Sequence, residues 1–182
     1  MPDVPEVLAQ ILARPAINGV RLVAIDGPGG AGKSTFAGEL AAAADAPIVE
    51  IDDFISWLDL SDWWPRLEQQ VIEPLLAGRD AHYQQRDWTG DEFGDSLGEW
   101  ATLPWAPLVI LEGITSARRA VADRLAYAVW VEAPREVCLS RGLSRDGGET
   151  RRELWTRWQL EEDQWFAADG TRERADLVIS TG

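Results

Sequence analysis

The stretch GPGGAGKST, residues 27–35, restricts the fold of this chain more than any other part of it. It reads Gly27-x-x-x-x-Gly32-Lys33-Ser34, the phosphate-cradling P-loop pattern, which needs a strand before it and a helix after it. Both are present. Residues 20–26 (VRLVAID) form a short apolar run of the kind a buried parallel strand shows. From residue 33 to 44, Phe36, Ala37, Leu40, Ala41 and Ala44 fall on one helical face. The glycines let successive backbone N–H groups turn inward, and the helix adds its positive end. Gly27, Gly29, Gly30, Ala31, Gly32, Lys33, Ser34 and Thr35 are therefore the expected nucleotide-phosphate contacts. Lys33 is the only lysine beside sixteen arginines. A compact ammonium on a flexible stem suits the β/γ-phosphates, where a planar guanidinium fits poorly.

Strands and helices alternate along the rest of the chain. Strands are expected at 47–52 (PIVEID), 107–113 (PLVILEG), 126–133 (AYAVWVEA) and 175–180 (ADLVIS). Trp64, Leu67, Val71 and Leu75 give a helical stripe, kinked or broken near Pro74 and ended by Gly78. Helices are also expected at 116–124, after Pro134, and at 150–167, where Trp155, Trp158, Glu162 and Trp165 share a face. Residues 80–103 read as an insertion with one short hairpin, and 140–152 as a Gly- and Arg-rich break. The pattern is that of one α/β domain over residues 1–182 with a mostly parallel sheet.

Composition narrows the partners. A net charge of −14 argues against nucleic-acid and anionic-membrane surfaces. One cysteine, Cys138, permits no internal disulfide and fits a reducing compartment. The first residues lack the basic start and apolar run of a secretion signal, so a cytoplasmic location is expected. Nothing in the sequence fixes an oligomeric state.

Other nucleotide-binding classes are poorly matched. The only asparagine, Asn18, lies before the loop, so no Asn-Lys-x-Asp base-reading element exists. No Ser-Gly-Gly signature occurs, and the strand at 107–113 ends with a single acid, Glu112. The pattern resembles the small-molecule P-loop kinases. Within them, EIDDFI, VILEGI, the cluster Arg141, Arg145, Arg151 and Arg152, and the closing ADLVIS are similar to elements of the uridine kinase family. This resemblance implies a three-layer α/β/α fold with five strands in the order 2-3-1-4-5 and a lid at about 141–152. It implies ATP and Mg²⁺, with Ser34 and Glu112 at the metal, Asp52 as catalytic base and Arg141 and Arg145 on the transferred phosphoryl group.

The acceptor implied is a small molecule bearing a hydroxyl, in the first instance a pyrimidine nucleoside. Asp52, Trp57, Arg86 and Trp88 would contact it. The acceptor side departs from the family pattern at Ile55, where the family has Tyr, and at Arg86, where it has an aromatic ring. A sugar, a vitamin precursor or an anionic metabolite is the alternative acceptor. A regulatory ATPase without an acceptor is the alternative activity.

The lone lysine gives a direct test. Apart from the N-terminus, Lys33 carries the only primary amine. An amine-reactive label read by mass spectrometry should find Lys33 protected by saturating ATP·Mg²⁺. Equal labelling with and without nucleotide would overturn the phosphate assignment.

Overall fold

The computed structural model describes residues 2–182. Its centre is a five-stranded parallel sheet built from β1 (Arg21–Asp26), β2 (Ile48–Glu50), β5 (Leu108–Glu112), β6 (Leu125–Glu132) and β7 (Leu177–Ser180). The spatial order is β2-β5-β1-β6-β7. Counting only these five strands, that is the expected 2-3-1-4-5. Successive residues of a strand point to opposite faces, and the sheet has a core on each side. Val23 and Ile25 of β1, Ile110 of β5 and Val129 and Val131 of β6 bury against α1 (Val4–Leu12), α2 (Lys33–Ala44) and α5 (Arg135–Asp146). Leu22, Val109, Leu111 and Trp130 face the other way, toward α3 (Trp64–Leu67), α4 (Glu73–Leu76) and α6 (Arg152–Asp169). A short α7 (Thr171–Arg174) leads into β7. The expected three layers result.

The stripe at Trp64–Leu75 is one helical run with a π turn at Glu68–Ile72 between α3 and α4. The irregularity precedes Pro74, which has no N–H to give residue 70, so the ladder widens there. Gly78 then leaves the helix at φ 72°. The expected insertion folds as an antiparallel hairpin of β3 (Ala81–Arg86) and β4 (Leu97–Leu103) that packs on this layer through Ala81, Tyr83 and Leu103.

Three expectations need correction. Residues 116–124 do not form an α-helix. Thr115 stands at φ 66°, the N–H groups of Thr115 and Ala117 both donate to the Asp26 carboxylate at 2.8 Å, and only a 3-10 turn at Arg119–Arg124 follows. The Gly- and Arg-rich break is also shorter than expected. Helix α5 runs on to Asp146, so Arg141 and Arg145 are helical and only Gly147–Arg151 interrupts α5 and α6. Helix α1 was not anticipated, although Val4, Val7, Leu8 and Ile11 have the spacing of an apolar face.

Candidate phosphoryl-transfer site

The sheet delivers the site at its carboxyl edge. Asp26, Glu50 and Glu112 end β1, β2 and β5, and Glu50 and Glu112 are paired in register. The chain leaves β1 toward β2 on one side, while β6 and β7 lie on the other. Ligand crevices of open α/β sheets form at such a reversal, outside the strands' carboxyl ends. Here a cavity of about 760 Å³ opens.

Its floor is the P-loop. Gly32 is the N-cap of α2 at φ 99°, and no side chain caps that helix. The first-turn N–H groups of Lys33, Ser34 and Thr35 therefore have no intrahelical partner and remain open to an anion. Gly30 stands at φ 78°, and a Cβ on it would lie 3.0 Å or less from the backbone of Cys138, so only glycine lets the loop lie on α5. Lys33 is buried, and its Nζ donates to the Pro28 carbonyl at 2.9 Å. The Ser34 hydroxyl donates to Glu112 Oε1 at 3.3 Å.

A hydroxyl and a carboxylate paired beside open helix amides fit a nucleotide–Mg²⁺ complex: hard oxygen donors for the cation and N–H donors for the phosphates. Ser34 would hold the metal and Glu112 would stand behind it. Burial raises the Glu112 carboxyl above its ordinary range, with Lys33 pulling the other way.

Opposite the P-loop, β2 runs into a 3-10 turn at Ile51–Asp53. Asp52 and Asp53 have different environments. The Asp53 carboxylate accepts from Gln85 Nε2 at 3.0 Å and Tyr83 OH at 3.3 Å, while Arg66 donates to the Asp53 and Phe54 carbonyls. Burial raises its pKa. Asp53 thus fastens the turn to the hairpin. The exposed Asp52 carboxylate has no hydrogen bond or ion pair among the described residues and lines the cavity. Trp88 Nε1 donates to the Asp52 carbonyl at 2.7 Å, which ties this indole to the same wall.

The arginines divide. Arg141 lines the cavity and donates to the Thr181 hydroxyl and carbonyl at 3.0 and 2.9 Å and to the Gly30 carbonyl at 3.3 Å. Arg145 lines it paired with Asp146 at 2.7 Å, with its guanidinium 5.6 Å from the Trp155 ring. Arg151 crosses the mouth to Glu92 of the hairpin loop at 2.7 Å. Arg152 pairs with Glu149 and lies outside the cavity.

Arg86 departs from expectation. It is buried and turned into the hairpin loop, where it donates to the carbonyls of Asp87, Asp91, Glu92 and Gly94. Its guanidinium lies 4.7 Å from the Trp88 ring. It organises the loop that carries Trp88 and does not line the cavity. Gly27 and Ala31 are also set back from the cavity; Gly27 packs on the Val131 carbonyl and Ala31 is fully buried.

Sequence reasoning missed Glu162. It is 1% exposed, and its Oε1 accepts the Gly29 N–H at 3.0 Å, so a carboxylate of α6 rests on the P-loop. Burial lifts its pKa to about 7 against the pull of Lys33. An acid on the helix face of Trp155 and Trp158 was the available signal. Asp26 is also fully buried, and burial lifts it to about 6.

No protein-family profile matches the chain, and no curated protein does. Solved structures do. A protein described as a possible uridine kinase from Bacillus stearothermophilus superposes with a TM-score of 0.69 at 18% identity, over 97% of this chain and 96% of that one. A provisionally described fructose transport system kinase from Silicibacter sp. TM1040 gives 0.67 at 22%, over 98% and 99%. The D-glycerate 3-kinase of Cryptococcus neoformans var. grubii gives 0.62 at 12%, over 95% and 89%. The fold is that of the P-loop kinases, as the sequence resemblance implied.

The two raised acids predict a pH dependence. Folded Asp26 and Glu162 keep protons that the unfolded chain loses near 3.8 and 4.5. Their contribution to stability is complete below those values and is lost as pH rises through about 6 and about 7. Urea midpoints of the nucleotide-free protein should fall from about pH 4 to pH 7. Glu162→Gln still offers Gly29 an acceptor oxygen and should flatten the decline between pH 6 and 7, worth at most about 1.4 kcal/mol at ~1.4 kcal/mol per pKa unit. Parallel profiles for the two proteins would refute a titrating Glu162.

Proposed function

We propose that this chain is a kinase that transfers the γ-phosphoryl group of ATP to a hydroxyl of a small molecule. The observation that carries this reading is the unpartnered Asp52 carboxylate, which lines the same cavity as the P-loop, the Ser34–Glu112 pair and Arg145. A nucleotide hydrolase would also place a group beside its attacking water, so dependence on an added acceptor is what separates the two reactions. A carboxylate free to accept a proton on the opposite wall is what an acceptor hydroxyl requires.

In this reading the α2 amides and Lys33 hold the β- and γ-phosphates. Mg²⁺, when bound by Ser34, neutralises charge on the phosphate oxygens. Asp52 takes the acceptor proton as that oxygen forms its bond to phosphorus and the bond to the departing ADP breaks. Arg145, after leaving Asp146, meets the charge on the phosphoryl oxygens. Its surface pairing is a weak tie, on the order of 0–1 kcal/mol. Lid motion is confined to the break at Gly147–Arg151, with Gly147 and Gly148 (φ 109° and 76°) as its pivot, because Gly142 and Leu143 of α5 are buried. The acceptor class implied by the sequence resemblance is the pyrimidine nucleosides, for which Trp57 and Trp88 offer indole surface.

The test is ADP release with and without hydroxyl compounds. Release that depends on an added acceptor supports the kinase; equal release without one supports a hydrolase. Asp52→Asn should lower kcat by about 10²–10⁴ and leave ATP affinity within a few-fold, because general-base assistance is worth that much. Asp53→Asn should chiefly lower stability, through Tyr83 and Gln85. A larger kcat loss for Asp53→Asn would reverse the assignment.

Arg145→Ala should lower kcat more than it weakens ATP binding, since the charge it meets develops in the transition state. Weaker ATP binding at unchanged kcat would limit Arg145 to holding ground-state ATP.

A further inference from the structure

The charges around the cavity are not evenly spread. Four cations line it, Lys33, Arg141, Arg145 and Arg151, and all belong to the P-loop, α5 or the start of α6. Each already has an acceptor: the Pro28 carbonyl, Thr181, Asp146 and Glu92 respectively. The facing wall, residues 50–57 with Trp88, carries three carboxylates, Glu50, Asp52 and Asp53; among the described residues no cation lines the cavity from it, and Arg66 and Arg86 stand behind it, on the Asp53 and Phe54 carbonyls and 4.7 Å from the Trp88 ring respectively. Asp53 is held by Tyr83 and Gln85, whereas Glu50 and Asp52 have no hydrogen-bond or ion-pair partner among the described residues. Asp53 and Asp52 raise the Glu50 carboxyl further, after burial.

Indoles from this wall and from α6 meet in the cavity. The Trp57 ring meets those of Trp88, Trp155 and Trp158 nearly edge-on, with centroids 6.4, 6.2 and 5.1 Å apart, and all four indoles line the cavity. Uncharged hydrogen-bonding side chains are scarce. Among the described residues Ser34 and Thr35, both from the P-loop, are the ones that line the cavity, with no Asn, Gln, His or Tyr. The Trp88 and Trp155 N–H groups are engaged by the Asp52 carbonyl and Asp146. A base edge with alternating donors and acceptors has little here to read it. An anionic acceptor would meet unpaired carboxylates, and Arg86, expected among the acceptor contacts, is committed to the hairpin loop.

Indole faces beside carboxylates are what a cation recognises. We infer that the acceptor is a small hydroxylated ammonium compound, an amino alcohol or amino sugar, whose cationic centre lies against Trp57 with Glu50 as counter-charge. This rests on the kinase reading for the word acceptor, and it departs from the nucleoside that the sequence resemblance implies. Asp52 stays free to take the hydroxyl proton, and the charge of the acceptor stays apart from the phosphate-binding cations.

The test separates charge from shape. Choline and 3,3-dimethylbutan-1-ol share a shape and a hydroxyl, but only the first is charged. Binding is read by tryptophan fluorescence and calorimetry with Mg²⁺ present, so that carboxylates serving the metal are occupied. ADP release is read separately with choline, ethanolamine, glucosamine, glucose and uridine.

The inference expects choline or an amine of the panel to bind about tenfold or more tighter than the uncharged isostere, in line with a desolvated cation–π contact. Glu50→Gln, a change at an exposed side chain, should remove most of that preference and leave isostere binding unchanged. Trp57→Phe, which keeps an aromatic face, should weaken binding less than Trp57→Leu. ADP release should follow the amines. Equal binding of choline, the amines and the isostere, or ADP release with glucose or uridine and none with amines, overturns the inference and leaves the kinase standing. Preferential amine binding without acceptor-dependent ADP release keeps the cation site and overturns the kinase.

Discussion

The site depends on a carboxylate that never meets the ligand. Asp26 ends β1, is fully buried, and accepts the N–H groups of Gly27, Thr115 and Ala117 at 2.7–2.8 Å. Three backbone donors offset part of the cost of removing a carboxyl group from water, though burial still lifts its pKa. Asp26 thereby joins the first residue of the P-loop to the turn after β5. That turn holds Thr115 at a positive φ, which a β-branched residue adopts only when its surroundings determine it. With both segments fixed to one group, Glu112 at the end of β5 and Ser34 at the start of α2 come within 3.3 Å. The pairing of these two oxygens is set by Asp26 and the strand register, not by their mutual attraction.

The second constraint comes from α6. Its Trp155 and Glu162 reach the P-loop at Gly29, where a Cβ would stand 2.9 Å from the indole and 3.1 Å from the carboxylate. Gly142 of α5 meets the same indole at 2.5 Å on that measure. Glycines at 29 and 142 therefore let α5, α6 and the P-loop pack on one tryptophan. Arg151, at the head of α6, reaches across to Glu92. The cavity is covered by a buried contact at one end and a solvent-exposed ion pair at the other. The second is far weaker, so opening is expected to begin at the hairpin side.

Much of this was legible in the sequence. The P-loop, all five strands and the two-sided sheet follow from apolar runs, glycines and one helical stripe. These are local signals that the tertiary structure reinforces. The unread parts depend on distant partners. Residues 116–124 have the composition of a helix, but Asp26 takes two of their neighbouring amides from ninety residues away. Arg86 looked like a ligand contact because it stands where the resembled family has an aromatic ring. Its true partners are carbonyls of a loop whose closure no local pattern predicts. Asp52 and Asp53 are adjacent and chemically alike, and only the positions of Tyr83 and Gln85 on β3 distinguish them. The burial of Glu162 was readable from its helix face, but its contact with Gly29 was not.

The single lysine acquires a second explanation from these contacts. Three acids flank the P-loop from different elements, Asp26, Glu112 and Glu162, all are buried, and Lys33 lowers the pKa of each. One compact ammonium on a flexible stem can serve all three, and here it rests on the Pro28 carbonyl among them. A guanidinium would need several acceptors in its own plane, in a space walled by backbone. The residue suited to meet phosphate is thus also the countercharge that makes these buried carboxylates tolerable without it. A triphosphate entering the loop competes with them for the same cation. Binding and the protonation of the acids are thereby linked: phosphate that draws Lys33 toward itself raises the cost of keeping Glu162 ionised against Gly29.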